Sequence, residues 1–269
     1  MKKAPTLATL AINATVIYVV AFILTTVVHE LAHALASLAL GGKPVLYHNH
    51  VANSVELPIG DVIAVKLAGP VVSLLQALAL TPLVLRRRRR DLTQLLFLWL
   101  TALGYNNFLG YLFTGPFAAA GDIGAATRLA ELPMLAIVAL SLVGIGTQLA
   151  VIWHLRRPFL SFAFDEAQLA TADGRKRVML HVLMAPFVLG SIVFTLLSLP
   201  SPALISLVYP LMSGMPFIMP WQAAANPNTR AGVVASDGQA AVFVSWLAIA
   251  VLVALAAFNQ FVLKPGIAF

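Results

Sequence analysis

A chain of 269 residues that is 60% hydrophobic and only 10% charged, with mean hydropathy +0.92, lies far from soluble domains, of which roughly 25% of residues are charged. Several apolar stretches reach the roughly 20 residues that cross a bilayer, so the expected class is an all-α, polytopic helical membrane protein in the cell membrane. A β-barrel, built from short alternating strands, does not fit such long continuous stretches. With no cysteine and a net charge of +7, disulfides and thiolate metal ligands are excluded. The arginine block at Arg86 to Arg90 sits between two apolar stretches, and reads as an anchor on anionic lipid rather than a nucleic-acid patch.

The chain begins Met1-Lys2-Lys3, followed by an apolar run from about Pro5 to Leu40. The run exceeds the apolar segment of a signal peptide, about 7–15 residues, so an uncleaved first span is expected. At about 1.5 Å per residue it is longer than the hydrocarbon core and must tilt or protrude. Gly41-Gly42-Lys43-Pro44 is helix-stop chemistry. Val45 to Gly60 is mixed, alternating in part near Val51 to Leu57, and predicts a short hairpin or irregular loop at the membrane surface. The second span covers about Asp61 to Leu85 and contains Ala68-Gly69-Pro70. There Pro70 removes a helix hydrogen bond and Gly69 lets another backbone approach. A third span, about Leu92 to Thr114, carries Tyr105, Asn106 and Asn107 in its outer half, where amides need partners.

Gly115 to Gly124 breaks the apolar pattern and holds one carboxylate, Asp122. Ala125 to Leu132 is predicted to be a short amphipathic helix, capped by Asp122 or a neighbour. The fourth span runs from about Met134 to Leu155 and ends at Arg156-Arg157. Pro158 to Arg177 is expected to be a polar cytoplasmic loop, and Val178 to Leu199 a fifth span. The proline-rich Pro200 to Pro220 reads as re-entrant or interfacial, Trp221 to Gln239 as a polar loop, and Ala240 to Leu263 as the last span before Lys264. With about six spans and both termini cytoplasmic, Lys2-Lys3, the arginine block, Arg156 to Arg177 and Lys264 all fall inside. His29, His33 and Asp122 then lie toward the other face. No internal repeat is visible, and residues 1–269 form one membrane domain.

The chemistry centres on His29-Glu30-Leu31-Ala32-His33, inside a run with no other charged residue between Lys3 and Lys43. On a helix His29 and His33 are one turn apart and face the same way, so one Zn²⁺ can bind both, with Glu30 as general base beside them. A charged side chain at the bilayer centre costs roughly 2.5–3.5 kcal/mol on insertion scales, so ionisable residues there usually mark function. Their bland alternative is a structural hydrogen-bonded pair. A zinc site needs a third protein ligand, and the candidates are Asp122, His48, His50, Glu56 and Asp61. Asp122 is preferred, since it lies between glycines in a break at matching depth; its alternative role is a helix N-cap. His48 and His50, two apart in a probable strand, would share a face, and read as polar loop residues or as contacts for substrate or entering metal. His154 and His181 read as helix-end or buried histidines.

His29-Glu30-Leu31-Ala32-His33-Ala34, Gly41-Gly42 and Ala68-Gly69-Pro70 together resemble the site-2 protease family of intramembrane zinc metalloproteases. That family places H-E-x-x-H in one span and an aspartate ligand, preceded by an asparagine and prolines, in a later one. Asn106, Asn107, Pro116 and Gly121-Asp122 occupy the comparable region, although Asp122 lacks the family's preceding leucine and following glycine. The resemblance covers about residues 25–124, and implies a catalytic core there with spans of unassigned role in 134–269. It implies a zinc-dependent endopeptidase that cleaves a membrane-protein substrate, with His29, His33 and Asp122 on zinc, Glu30 as base, and Asn106 or Asn107 holding substrate backbone or oxyanion. Family members usually open the site to the cytosol, whereas the charge count points it outward. The Val45–Leu57 segment is a candidate to receive an unwound substrate as an added strand. The alternative function is a metal-binding membrane protein without proteolysis, a transporter or a sensor, for which a glutamate beside the first histidine is not required.

Overall fold

The computed structural model describes residues 4–87, 89–199, 204–226 and 239–269, side chains at 204–207 and 239 aside. Lys2, Lys3, Arg88 and much of the loop expected before residue 239 lie outside the described residues. Six helices are long and apolar enough to cross a membrane. They are α1 (Leu7–Ala39), α2 (Ile59–Arg86), α3 (Leu92–Thr114), α5 (Met134–Leu160), the helix Ala172–Leu197 and the helix Trp246–Leu263. The short α4 (Asp122–Leu129) lies between α3 and α5.

Local chemistry sets the ends. Thr6 caps α1 by accepting from the Thr9 amide, and Asp91 caps α3 by accepting from the Gln94 amide. Gly41, at φ 82°, supplies the left-handed residue that stops α1. The following residues form the expected hairpin, β1 (Pro44–Leu46) against β2 (Val51–Asn53), antiparallel with Val45 opposite Ala52. A third strand was not foreseen. β3 (Ile267–Ala268) pairs with the other edge of β1, giving the order β2-β1-β3. Leu46 and Leu263 are buried against Ala34 of α1, so the small sheet seats on the last turns of that helix.

Several predicted loops are helical. Pro158 to Arg177 does not form a polar loop: α5 continues through Pro158 to Leu160, and α6 (Glu166–Ala170) and α7 (Ala172–Met179) follow. Asp165 and Thr171 cap these two helices by accepting from the Gln168 and Gly174 amides, a local signal that average polarity hides. A π-helical turn at Leu180–Met184 joins α7 to α8 (Ala185–Leu197), next to Pro186, which lacks an amide hydrogen.

The segment read as re-entrant instead runs from one face to the other. It consists of α9 (Leu204–Ser213), a 3₁₀ turn at Met215–Phe217, and α10 (Ile218–Ala223). Its start follows Leu199, whose carbonyl accepts from Lys264 Nζ at 2.6 Å on the side of the hairpin. Its end meets Arg175, which donates to the carbonyls of Ala224 and Ala225 at 2.6 and 2.9 Å on the opposite side. Prolines at 210, 216 and 220 break what would otherwise be one helix. With the six helices long and apolar enough to cross a membrane, this broken segment makes seven traverses of the helix bundle among the described residues.

The odd number corrects the expected topology. Thr6 donates to Ala241 O at 2.8 Å, and Asn13 of α1 bonds the carbonyls of Ala240 and Phe243, both at 2.8 Å, so α11 (Trp246–Phe258) begins beside the start of α1. It ends, through a π-helical turn at Asn259–Leu263, at the hairpin. Lys264 therefore lies on the hairpin face, not with the arginine block. The outer surface carries exposed Leu75, Leu78, Leu135, Leu142, Leu189, Leu247 and Phe261, while Asn13, Gln94, Asn106, Gln148 and Asn259 are buried. Apolar residues facing outward with amides gathered inside is the arrangement a bilayer selects.

Candidate metal centre

Helix α1 carries His29 and His33 one turn apart, both buried, with ring centroids 4.7 Å apart and planes at 81°. Their Nε2 atoms point at one another across 3.1 Å. Asp122 completes the group: its Oδ2 lies 3.1 Å from His29 Nε2 and 3.4 Å from His33 Nε2. One atom from each residue falls within 4.8 Å of the others. Three donors converging on one point, two imidazole and one carboxylate, form a set suited to a divalent metal.

Helix α2 shapes the space. Val65, Gly69 and Ser73 recur at i, i+4 and i+8 on one face. Val65 O accepts from His33 Nδ1 at 2.6 Å, and Ser73 Oγ lies 3.1 Å from His29 Nδ1 while donating to Gly69 O at 3.1 Å. Val65 O can only accept, so His33 Nδ1 donates there and its Nε2 is turned toward the gap, as a ligating histidine requires, while Ser73 and Asn107 hold the His29 ring from its Nδ1 side. A Cβ at Gly69 would sit 2.7 Å from His29 Nε2 and closer still to His33 Nε2. The glycine leaves room for the two imidazoles. Gly104 of α3 does similar work between helices: a Cβ there would meet Ser73 O at 2.7 Å. That close approach brings Asn107 Nδ2 to 3.1 Å from both Ser73 Oγ and His29 Nδ1.

The carboxylate arrives from outside the long helices. Gly121 is the N-cap of α4 and Asp122 its first residue, so the N-cap reading of Asp122 is incorrect. Helix α4 starts three residues earlier than predicted, and its first-turn carboxylate turns toward the histidines. Burial opposes ionisation of Asp122, but its hydrogen bonds with His29 and His33 outweigh that and hold its carboxyl well below the usual carboxylate range. Its second oxygen, Oδ1, is 3.5 Å from Lys66 Nζ.

Glu30 is half-buried, and it makes no hydrogen bond or ion pair among the described residues. It interacts electrostatically with His33, Asp122 and Lys66. The two asparagines part company. Asn107 joins the His29–Ser73 network and accepts from Tyr209 Oη at 3.3 Å. Asn106, the next residue around α3, is buried and accepts from Gln148 of α5, so it is not brought to the histidines. Thr25, Thr26, Asn106, Asn107, Tyr209 and Ser213 line a neighbouring cavity of about 20 Å³, room for roughly one water.

The other candidate ligands stay apart from the centre, for among the described residues only His29, His33 and Asp122 group together. His48 and His50 lie in the turn between β1 and β2, not on a strand; His48 is buried and His50 is exposed and stacked on Tyr47 at 4.5 Å. His154 and His181 each bond the carbonyl four residues back, as helix histidines do. Sequence reasoning missed Lys66, Ser73, Tyr111 and Tyr209. Tyr111 stacks on His29 at 5.8 Å and on Tyr209 at 5.9 Å. A lone lysine inside an apolar span was a readable signal; the tyrosines had none. No family model, curated protein or solved structure matches the chain.

Proposed function

We propose that the chain is an intramembrane zinc-dependent endopeptidase of the site-2 protease kind, cleaving a transmembrane or membrane-proximal peptide bond. The observation that carries this reading is the convergence of His29, His33 and Asp122 within 4.8 Å, with the unpaired Glu30 beside them.

His29 and His33 offer Nε2 lone pairs and Asp122 offers Oδ2, a two-histidine, one-carboxylate set that leaves a position open for water. Zinc, when bound, supplies Lewis acidity that polarises a carbonyl and acidifies water. Glu30 accepts the proton as the water oxygen bonds to the carbonyl carbon, then returns it to the leaving amine as the C–N bond breaks. Val65 and Ser73 keep both imidazoles oriented throughout. A transmembrane substrate helix must unwind first, because its backbone groups are otherwise bonded internally. Both edges of β1 are taken, by β2 and β3, so an extended peptide would add at an outer edge of the sheet, of which we favour that of Val51–Asn53. Unchanged cleavage in V51P and V55P would count against that docking route.

The deciding experiment is Glu30→Gln, with cleavage and bound zinc measured together. Loss of cleavage by 10²-fold or more with zinc retained supports hydrolysis; unchanged cleavage sinks it. A second reading, a metal transporter, draws on the broken α9–α10 segment beside the cavity, since interrupted helices line ion paths in transporters. Zinc uptake into vesicles that persists in E30Q would favour it.

A further inference from the structure

We propose that Lys66 is a catalytic residue, the electrophile that binds the carbonyl oxygen of the scissile peptide; this rests on the endopeptidase reading above. Lys66 is the one charged residue of α2 between Asp61 and Arg86. A lone ammonium in the first turns of an apolar span faces the membrane interface or a polar partner rather than lipid, and here its partner is Asp122. On the helix, Lys66, Gly69 and Ser73 fall at i, i+3 and i+7, the face that lines the metal centre.

The placement is specific. Asp122 Oδ2 faces the two imidazoles, while Lys66 Nζ approaches Oδ1 at 3.5 Å. The ammonium therefore approaches the carboxylate through the oxygen that the imidazoles do not use, with 40% of its side chain exposed. At 3.5 Å it is attracted to Asp122 but not held in a tight hydrogen bond, and an ammonium has three donors. It is free to serve a second oxygen.

The alternatives for that role are already committed. Asn107 donates its amide to Ser73, lies against His29 and accepts from Tyr209 with its carbonyl, and Asn106 is bonded to Gln148. In the addition step a water lone pair forms the C–O bond, the carbonyl π pair moves onto oxygen opposite Lys66, and the proton goes to Glu30. In the collapse step the C=O re-forms, the C–N bond breaks, and the proton passes from Glu30 to nitrogen. Lys66 keeps its own protons and stabilises charge only.

The test compares Lys66→Met and Lys66→Arg with wild type in three measurements. These are zinc affinity by chelator competition, acetohydroxamate binding to the zinc-loaded protein, and cleavage of a single-span polypeptide whose apolar helix is interrupted by Asn-Pro. The expected result for K66M is a kcat loss of about 10²–10³-fold, hydroxamate binding weakened at least tenfold, and zinc affinity within threefold of wild type, with partial recovery of all losses in K66R. K66M that cleaves at the wild-type rate overturns the proposal. So does K66M that loses zinc affinity and activity in parallel, which would make Lys66 a support for Asp122 alone. Wild type that binds zinc but cleaves nothing brings down the endopeptidase reading itself, and is told apart because no variant is then needed to see it.

Discussion

His29 Nε2 and Asp122 Oδ2 stand 3.1 Å apart although 93 positions separate them in the chain. One residue is deep in a charge-poor helix, and the other opens a short helix after α3. Their meeting converts a two-histidine motif into a three-donor centre, and it is the contact on which the proposed metal binding turns.

Asp122→Asn is therefore expected to weaken zinc at least 100-fold while leaving the helices folded. The amide keeps the shape but loses the charge that metal and imidazoles both use, and even outer partners of metal ligands are typically worth 10–100-fold. Isothermal titration with far-UV circular dichroism checks it; tight zinc binding by D122N would remove Asp122 from the ligand set.

Gly69→Ala should abolish metal binding by displacement rather than by unfolding. Its Cβ would crowd His29 Nε2 at 2.7 Å, and such overpacking costs about 1–3 kcal/mol. Gly110→Ala in α3 is the control, because nothing lies within 4 Å of an added Cβ there. Zinc content after purification separates the two variants, and equal content would mean the centre tolerates the methyl group.

Ser73→Ala should lower zinc affinity about 10–100-fold, since it removes the acceptor that holds His29 Nδ1. The effect belongs in affinity more than in stability. Ser73→Thr, which keeps the hydroxyl, is expected to retain most of it; a loss equal to that of S73A would show that packing, not the hydrogen bond, matters.

Single-cysteine labelling tests the seven passes directly, because the chain has no cysteine of its own. R157C should be labelled by a membrane-impermeant maleimide from one side and K264C from the other. Labelling of both from the same side would restore an even number of crossings.

The hairpin carries a pH signature. Burial, with smaller contributions from Lys264 and His50, lowers the pKa of His48 from its ordinary 6.5. The folded state thus prefers neutral His48. Its contribution is fully present above about pH 6.5 and is lost as pH falls from there through the lower folded value. Amide exchange of residues 44–53 should quicken below pH 6.5 in wild type and respond less in H48Q; identical profiles would clear His48 of this role.

The sequence alone determined the six long helices, a break into a hairpin or loop after α1, and the His29-Glu30-x-x-His33 motif. Each depends on local properties: apolar length, helix-stop glycine at Gly41, and the one-turn spacing of two imidazoles. Asp122 was legible as a candidate because a carboxylate between glycines stands out in an apolar chain. What only the tertiary structure decided is which side chains meet. It separated Asn107 from Asn106, since neighbours on a helix lie about 100° apart and face different helices. It carried Lys66, Ser73 and Tyr209 to the centre, and ran the chain along the bundle as the broken α9–α10, where prolines made the segment read as re-entrant or interfacial. It also placed Lys264 and β3 beside the hairpin. Hydropathy reports how long a segment stays apolar; it carries no record of which face packs against which, and that packing is what assembled the site.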